Sequence, residues 1–482
     1  MNKKLLFFLL IPFLGFSQVQ IGQDIVGDNL RDHFGDRVSI SADGKIIAIN
    51  SFPDLVDSYV KVFQNNSNTW TQVGQTLTAN NFNEIFKRSI SLSGDGTRLA
   101  ISRAVLNTPG SGATQVYQNV SGIWTQVGQD ITEKNINEVM QNTAVLSSDG
   151  TVLAVAFSEG TIGNRVRLYK DLAGVWTQIG QDIDGSQYGW LSGFGLAMSL
   201  SADGSVVAIS AYGNYINGVE SVGSVFVYKN ISGTWTKIGQ DLNGELFIER
   251  FGSSIDLSSD GSVLAISSHK LKNNIPEIIG NIKVYKNISN VWQQVGNTIL
   301  GERNPGGVSL SADGNTLAFA SDPNHTSLPA VLRVYKNLSG VWAKIGNDIQ
   351  EKEPDAILGN YSNSVSITGD GTIVAVGAPY LSFYPQAKEG YVQIWDYSKA
   401  TVSNNEFVLQ NFNIYPNPTS DVLIISLENN LVLQEVTIYN NLGQVVKKSN
   451  ENIIDVSSLA RGLYFVQVTT NQGKATKKVI VN

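Results

Sequence analysis

Alternation of apolar and polar positions organises most of this chain. The pattern Ser/Thr-x-Asp-Gly occurs seven times, with its aspartates at Asp43, Asp95, Asp149, Asp203, Asp260, Asp313 and Asp370. Successive copies are 52, 54, 54, 57, 53 and 57 residues apart. An alternating run precedes each copy, as in Met198-Ser-Leu-Ser201, and another follows, as in Val263-Leu-Ala-Ile-Ser267. Period-two alternation on both sides of Asp-Gly predicts a β-hairpin. A third run follows (Val225 to Asn230 and its equivalents), then a fourth that opens on tryptophan, at Trp70, Trp124, Trp176, Trp235, Trp292 and Trp342. Four short strands in a repeat of this length predict one blade of a β-propeller. The last repeat stops after its third run, Tyr391 to Tyr397, whereas Val19 to Ile25 fits the missing fourth run with Gln18 in the tryptophan position. Pairing of these two chain segments is expected to close the ring and remove its open edge.

Spacing separates two faces. The turn aspartate and the alanine of the second run are always five residues apart, and the third-run aromatic and the tryptophan always seven. The second-to-third connection varies from 15 to 20 residues, and the tryptophan-to-next-aspartate stretch from 21 to 28. In a four-stranded meander the two fixed turns share one end of the sheet and the two variable connections share the other. Loops that vary on a rigid scaffold carry function, so the variable face is the expected binding face.

The pairs Phe34-Gly35, Phe194-Gly195 and Phe251-Gly252 precede a first strand, and Gly377-Ala378-Pro379 follows a second strand. These residues resemble the FG-GAP repeat of integrin-type propellers. The Asp- and Asn-rich calcium loops of that family are replaced here by the tight Asp-Gly turn. The tail carries Asn413-Ile-Tyr-Pro-Asn-Pro418, Val436 to Gly443, Leu459 to Val466 and Lys477 to Val481. It is similar to the type A C-terminal sorting domain of type IX secretion substrates, and that resemblance implies passage across the outer membrane by the type IX machinery. The alternation of the tail independently predicts a small sandwich of six or seven strands. The expected fold class is therefore all-β: a seven-bladed β-propeller over 18–397, a linker over 398–410 and a small immunoglobulin-like β-sandwich over 411–482.

Lys3 and Lys4 followed by the apolar run Leu5 to Phe16 predict a signal peptide over 1–17, with small residues Gly15 and Ser17 at the cleavage site. Neither this run nor any other is long enough to cross a membrane as a helix. The chain has no cysteine, which excludes disulfides and thiolate chemistry. A net charge of −7 spread over 482 residues gives no nucleic-acid footprint.

Candidate chemistry is sparse. His33, His269 and His325 fall in no recognisable constellation, and no nucleophile elbow, zinc motif or phosphate loop is present. The turn aspartates suit turn capping better than metal ligation, and the tryptophans suit inter-blade packing better than ligand stacking. Four Asn-x-Ser triplets, at Asn119, Asn230, Asn287 and Asn337, sit where Asn-x-Ser-Gly is ordinary turn chemistry. Two positions before the first-strand aromatic, five repeats carry an acid: Asp32, Glu84, Glu138, Glu249 and Glu302. These side chains are candidates for an acidic ring at the channel mouth, which would attract a basic partner or Ca2+ as a cofactor. The variable loops supply the ligand-binding candidates Tyr188, Trp190, Tyr212, Tyr215, Tyr380, Phe383 and Tyr384, suited to a glycan or protein ligand. The expected function is a secreted or cell-surface module for binding or adhesion, non-enzymatic. The alternative is an extracellular carbohydrate-active hydrolase or lyase using channel carboxylates.

Overall fold

The computed structural model describes residues 18–30, 32–52, 58–79, 84–105, 112–134, 138–159, 163–271, 278–301, 304–322, 330–338, 340–351, 364–379, 389–400, 408–409, 411–428, 431–470 and 473–482. The proposed signal peptide lies outside them. Among the described residues, seven antiparallel sheets of four or five strands follow one another, and two further sheets form the tail. We number the seven sheets as blades one to seven in chain order of their first strands. Blade four shows the pattern: Met198–Leu200, Val206–Ala211, Ser224–Ile231 and Thr234–Lys237 meander, and Leu242–Asn243 pairs back onto the third strand. Neighbouring first strands touch, and Arg37–Ile40 of blade one meets Val365–Ile367 of blade seven, so the set closes on itself.

Closure depends on strand pairing between the two ends of the repeat region, which the sequence pattern anticipated. Blade seven takes its outer strand from the start of the chain. Val19 and Gln20 pair with Asp396 and Trp395, and Ile25 pairs with Val392.

Two rings of hydrogen bonds line the inner strands. Just before each turn aspartate, the backbone of one blade bonds the next: Ala42 N to Gly94 O, Gly94 N to Ser148 O, Asp149 N to Ala202 O, and onward through Ser259, Ala312 and Gly369 back to Ala42 O, at 2.7–3.0 Å. Small residues at these positions let the backbones approach. The second, interrupted at blade three where Val145 holds the position, explains the serines of the first strands. The hydroxyls of Ser39, Ser91, Ser199, Ser309 and Ser366 accept the amides of Leu92, Leu146, Leu257, Ile367 and Ile40 on the following blades. Blade five has Asp256 there instead, and its carboxylate accepts the Leu310 amide at 2.7 Å.

The tryptophans join the blades at the outer rim. Each is only 1–4 % exposed. Each indole N–H donates to the outer strand of the blade before, as from Trp124 to Val73 O and from Trp235 to Ile179 O. The glutamine five positions after one tryptophan grips the next: Gln181 donates to Trp235 O and accepts from Trp235 N. Gly180, at φ +70°, sits against the same indole, where a Cβ would come within 2.8 Å of Trp235 Cδ1. At the seventh junction Gln18 replaces the indole and bonds Asn347 N and O, while the buried ring of Tyr397 lies beside Gly346.

The tail packs a three-stranded and a four-stranded sheet around one core that includes Phe412, Ile425, Val436, Val466 and Val479. Val408 is fully buried in this core and Leu409 packs against it. These two residues, expected in the 398–410 linker, belong to the sandwich.

Candidate functional site

The turn aspartates are structural. Asp43 accepts from the Ser41 hydroxyl and the Lys45 amide, and the Ser41 hydroxyl in turn accepts the Ile46 amide. The other six copies repeat this arrangement, as at Asp203 with Ser201 and Ser205. Partial burial pushes the Asp43 carboxyl up, but the Ser41 and Lys45 hydrogen bonds outweigh it and hold the group below its usual range. The asparagines of the Asn-x-Ser triplets likewise cap their own turns: Asn230 accepts from Gly233 N and Asn337 from Gly340 N.

Two members of the expected acidic ring are buried in their own loops and do not ring a channel mouth. Asp32 is fully buried and accepts from Phe34 N, Asn29 N and the Tyr59 hydroxyl. Glu249 is 2 % exposed and accepts from Glu245 N at 2.6 Å and Leu246 N at 2.9 Å. Ser192, at the equivalent position of blade four, caps Phe194 N in the same way as Asp32 caps Phe34 N. Asp32 and Ser192 each accept the amide of the buried phenylalanine two positions on, whereas the equivalent Phe86 and Met140 amides bond Ser58 and Glu133. The side chains of Glu84, Glu138 and Glu302 lie outside the described residues. Among the described residues no group of three or more His, Cys, Asp or Glu is placed to hold a metal ion.

The loop aromatics divide. Tyr188 stacks on Phe226 at 4.4 Å and on Phe194 at 5.7 Å, so it wedges its loop against blade four and is not a ligand platform. Tyr212 is half-buried, with its ring against Gly193. Tyr380, Phe383 and Tyr384 lie outside the described residues. Trp190 and Tyr215 are 53 % and 51 % exposed.

These two belong to a larger patch. The connector into blade four forms two short turns, Ser186–Tyr188 and Trp190–Ser192, and presents Trp190 and Leu191 outward. The second-to-third loop of blade four reverses tightly between Ile216 and Val219, through Asn217 and Gly218 at positive φ, and presents Tyr215 and Val219. The connector into blade five, clamped by Glu249, presents Leu246 and Phe247. Backbone bonds tie the three loops together: Gly213 N to Ser192 O, Ile248 N to Glu220 O and Arg250 N to Ser221 O. Ile248 and Arg250 hold φ near +50°, a strained conformation for such residues that the ties maintain. Around the patch, Glu220 faces the Tyr215 hydroxyl, and Glu245 pairs with Lys283 at 2.9 Å, which holds the Glu245 carboxyl low.

Such a surface offers aromatic faces and apolar edges in a polar rim, the chemistry of stacking on sugar C–H faces or of seating an apolar peptide side chain. Sequence reasoning found Trp190 and Tyr215 but passed over Leu191, Val219, Leu246 and Phe247. The run Leu246-Phe247-Ile248, apolar and non-alternating inside a variable connector, was the available signal.

Comparison with known proteins gives the tail a family. A secretion system C-terminal sorting domain matches residues 413–482. This is the sorting domain of type IX export, and it directs the chain to the cell surface or the medium. One curated relative, the ulvan lyase NLR42 of Nonlabens ulvanivorans, is 35 % identical over 94 residues, which is 18 % of this chain and 17 % of that enzyme. This chain thus spans about a sixth of the lyase. Solved structures with similar folds include a Bacteroides uniformis protein assigned as a 6-phosphogluconolactonase, 15 % identical, with a TM-score of 0.47 over 66 % of this chain and 86 % of its own. Another is the β-propeller domain of Cps50 (Swd1) from Myceliophteria thermophila, 12 % identical, with a TM-score of 0.47 over 77 % and 99 %. Among the described residues no helix is long and apolar enough to cross a membrane.

Proposed function

We propose that the mature protein is a non-enzymatic binding or adhesion module, released from a signal peptide over 1–17 and carried out by its sorting domain. Its FG-GAP-like propeller, begun at residue 18, takes a glycan or protein ligand on the loop face between blades three and five. The observation that carries this reading is the patch of Trp190, Leu191, Tyr215, Val219, Leu246 and Phe247, exposed on three loops that are fixed to one another by backbone hydrogen bonds. A pre-ordered apolar surface on a secreted protein loses little entropy on binding.

Calorimetric titration of the mature chain with soluble polysaccharides, ulvan included, tests the reading. Saturable binding without chain cleavage is expected, with Trp190→Ala and Phe247→Ala each weakening it about tenfold or more, as central aromatics do. Unchanged affinity in both variants would remove the patch from consideration. The segment shared with an ulvan lyase supports a second reading, polysaccharide β-elimination. Ultraviolet absorbance from new unsaturated sugar ends on incubation with ulvan would replace the first reading with that one.

A further inference from the structure

The loop patch contains an asparagine whose surroundings leave it open to covalent change. The dipeptide Asn-Gly occurs twice in the chain, at Asn217-Gly218 and at Asn243-Gly244. In such a pair the glycine amide nitrogen can attack the asparagine side-chain carbonyl carbon, because glycine brings no side chain to block the approach. In a folded protein the reaction needs both groups free and a backbone that can turn between them.

The two sites differ on each point. Asn243 sits in the short strand Leu242–Asn243, where its Oδ1 accepts the Ser224 hydroxyl at 2.8 Å. The Gly244 amide donates to Gly223 O at 3.0 Å, and a Cβ on Gly244 would lie 2.4 Å from Val222 O, so the backbone is hemmed in. Asn217 and Gly218 are instead the two central residues of a turn, at φ +52° and +80°, the conformation that favours Asn-Gly in a two-residue hairpin. Both are exposed, and nothing lies within 4 Å of the place where a Gly218 Cβ would stand. Neither the Asn217 side-chain amide nor the Gly218 N–H is hydrogen-bonded among the described residues. Reciprocal bonds between Ile216 and Val219 close the turn as an isolated bridge outside the sheets, so local opening costs little.

We propose that Asn217 is a spontaneous modification site, which deamidates through a cyclic imide and thereby loosens the loop patch. A base removes the Gly218 amide proton, the nitrogen bonds to Asn217 Cγ, and the side-chain nitrogen leaves as ammonia. Water then opens the imide at either carbonyl. Opening at Cγ leaves aspartate, which adds a second carboxylate to a turn that already carries Glu220. Opening at the α-carbonyl leaves isoaspartate, whose main chain runs through Cβ and is longer. A two-residue reversal cannot absorb that extra length, so the Ile216–Val219 pair breaks. Just beyond the turn, Glu220 O and Ser221 O hold Ile248 N and Arg250 N. The ties that keep Ile248 and Arg250 at positive φ therefore weaken as the protein ages. That this alters ligand capture rests on the reading of the patch as the ligand site; the chemistry and the loosening do not.

Ageing the mature chain in mildly alkaline buffer tests the proposal without a ligand. Peptide masses should show amide-to-acid conversion at Asn217 about tenfold or more faster than at Asn243, where two hydrogen bonds must first be given up. A protein isoaspartate methyltransferase should label the peptide that contains Asn217. Hydrogen exchange over 215–221 and 246–250 should be faster in the aged chain than in the fresh one. Asn217→Gly keeps a pair that favours the same turn, and should show neither the label there nor the change in exchange. Its melting temperature checks that it folds. Conversion at Asn217 no faster than at Asn243, or unchanged exchange once Asn217 is converted, overturns the proposal. Since no ligand is used, that failure is distinguishable from failure of the patch to bind glycan.

Discussion

Asp256 shows how much one side chain can depart from its repeat. It occupies a position that five other blades fill with serine, and it is half-buried, accepting hydrogen bonds from the Ser199 and Ser309 hydroxyls and from the Leu257 and Leu310 amides. Burial pushes its carboxyl up to about 6 from 3.8, and the hydrogen bonds only partly oppose the shift. The folded state therefore holds this proton more tightly than the unfolded chain. Stability from this group is greatest below pH 4, falls as pH rises from about 4 to about 6, and levels off above that. Asp256→Ser places there the hydroxyl that five other blades carry, with an acceptor still available for the Leu310 amide. It should raise stability at pH 7 by about 1–3 kcal/mol and flatten the slope between pH 4 and 6. Urea unfolding of parent and variant across that range decides the matter, and an unchanged slope would show that another group titrates there.

At the scale of elements, the molecule depends on a strand borrowed from the far end of the chain. Without residues 18–26, the third strand of blade seven becomes an open edge, and the Gln18–Asn347 junction is lost. An exposed edge pairs readily with other chains. A chain beginning at residue 27 should therefore unfold at lower temperature and aggregate. Calorimetry and light scattering read this, and an unaltered monomeric melt would mean that closure contributes little. The same reasoning explains why the spacing Trp-x-x-x-Gly followed by Gln or Asn is kept while loops drift. Glycine and glutamine of one outer strand receive the tryptophan of the next, so a shift in either would break a junction between blades.

For the whole molecule, the sorting domain and the propeller have separate cores, one built from residues 408–481 and the others from the blades. Deletion of 413–482 should leave a folded propeller that stays inside the cell envelope. Fractionation of cells expressing the two forms measures this, and export of the truncated chain would contradict the assignment of the tail.

The four-strand meander of each blade, the closing strand and the separation of fixed from variable turns were legible in the sequence, because side-chain alternation and turn chemistry act over a few residues; the short fifth strand that pairs back onto the third strand in six blades was not. The roles of the repeated Asp-Gly, Asn-x-Ser and Trp were legible for the same reason. The repeated acid was not: Asp32 and Glu249 look available in the sequence, and only the path of the connector turns them inward onto backbone amides. Nor could spacing separate Tyr188, stacked under its loop, from Trp190 two residues later, or gather Leu246 and Phe247 to Tyr215 from a different loop. The chain alone determines which segments become strands, since that depends on neighbours in sequence. Which polar groups are satisfied and which aromatics meet water depends on contacts between distant loops, and that is decided only when the ring closes.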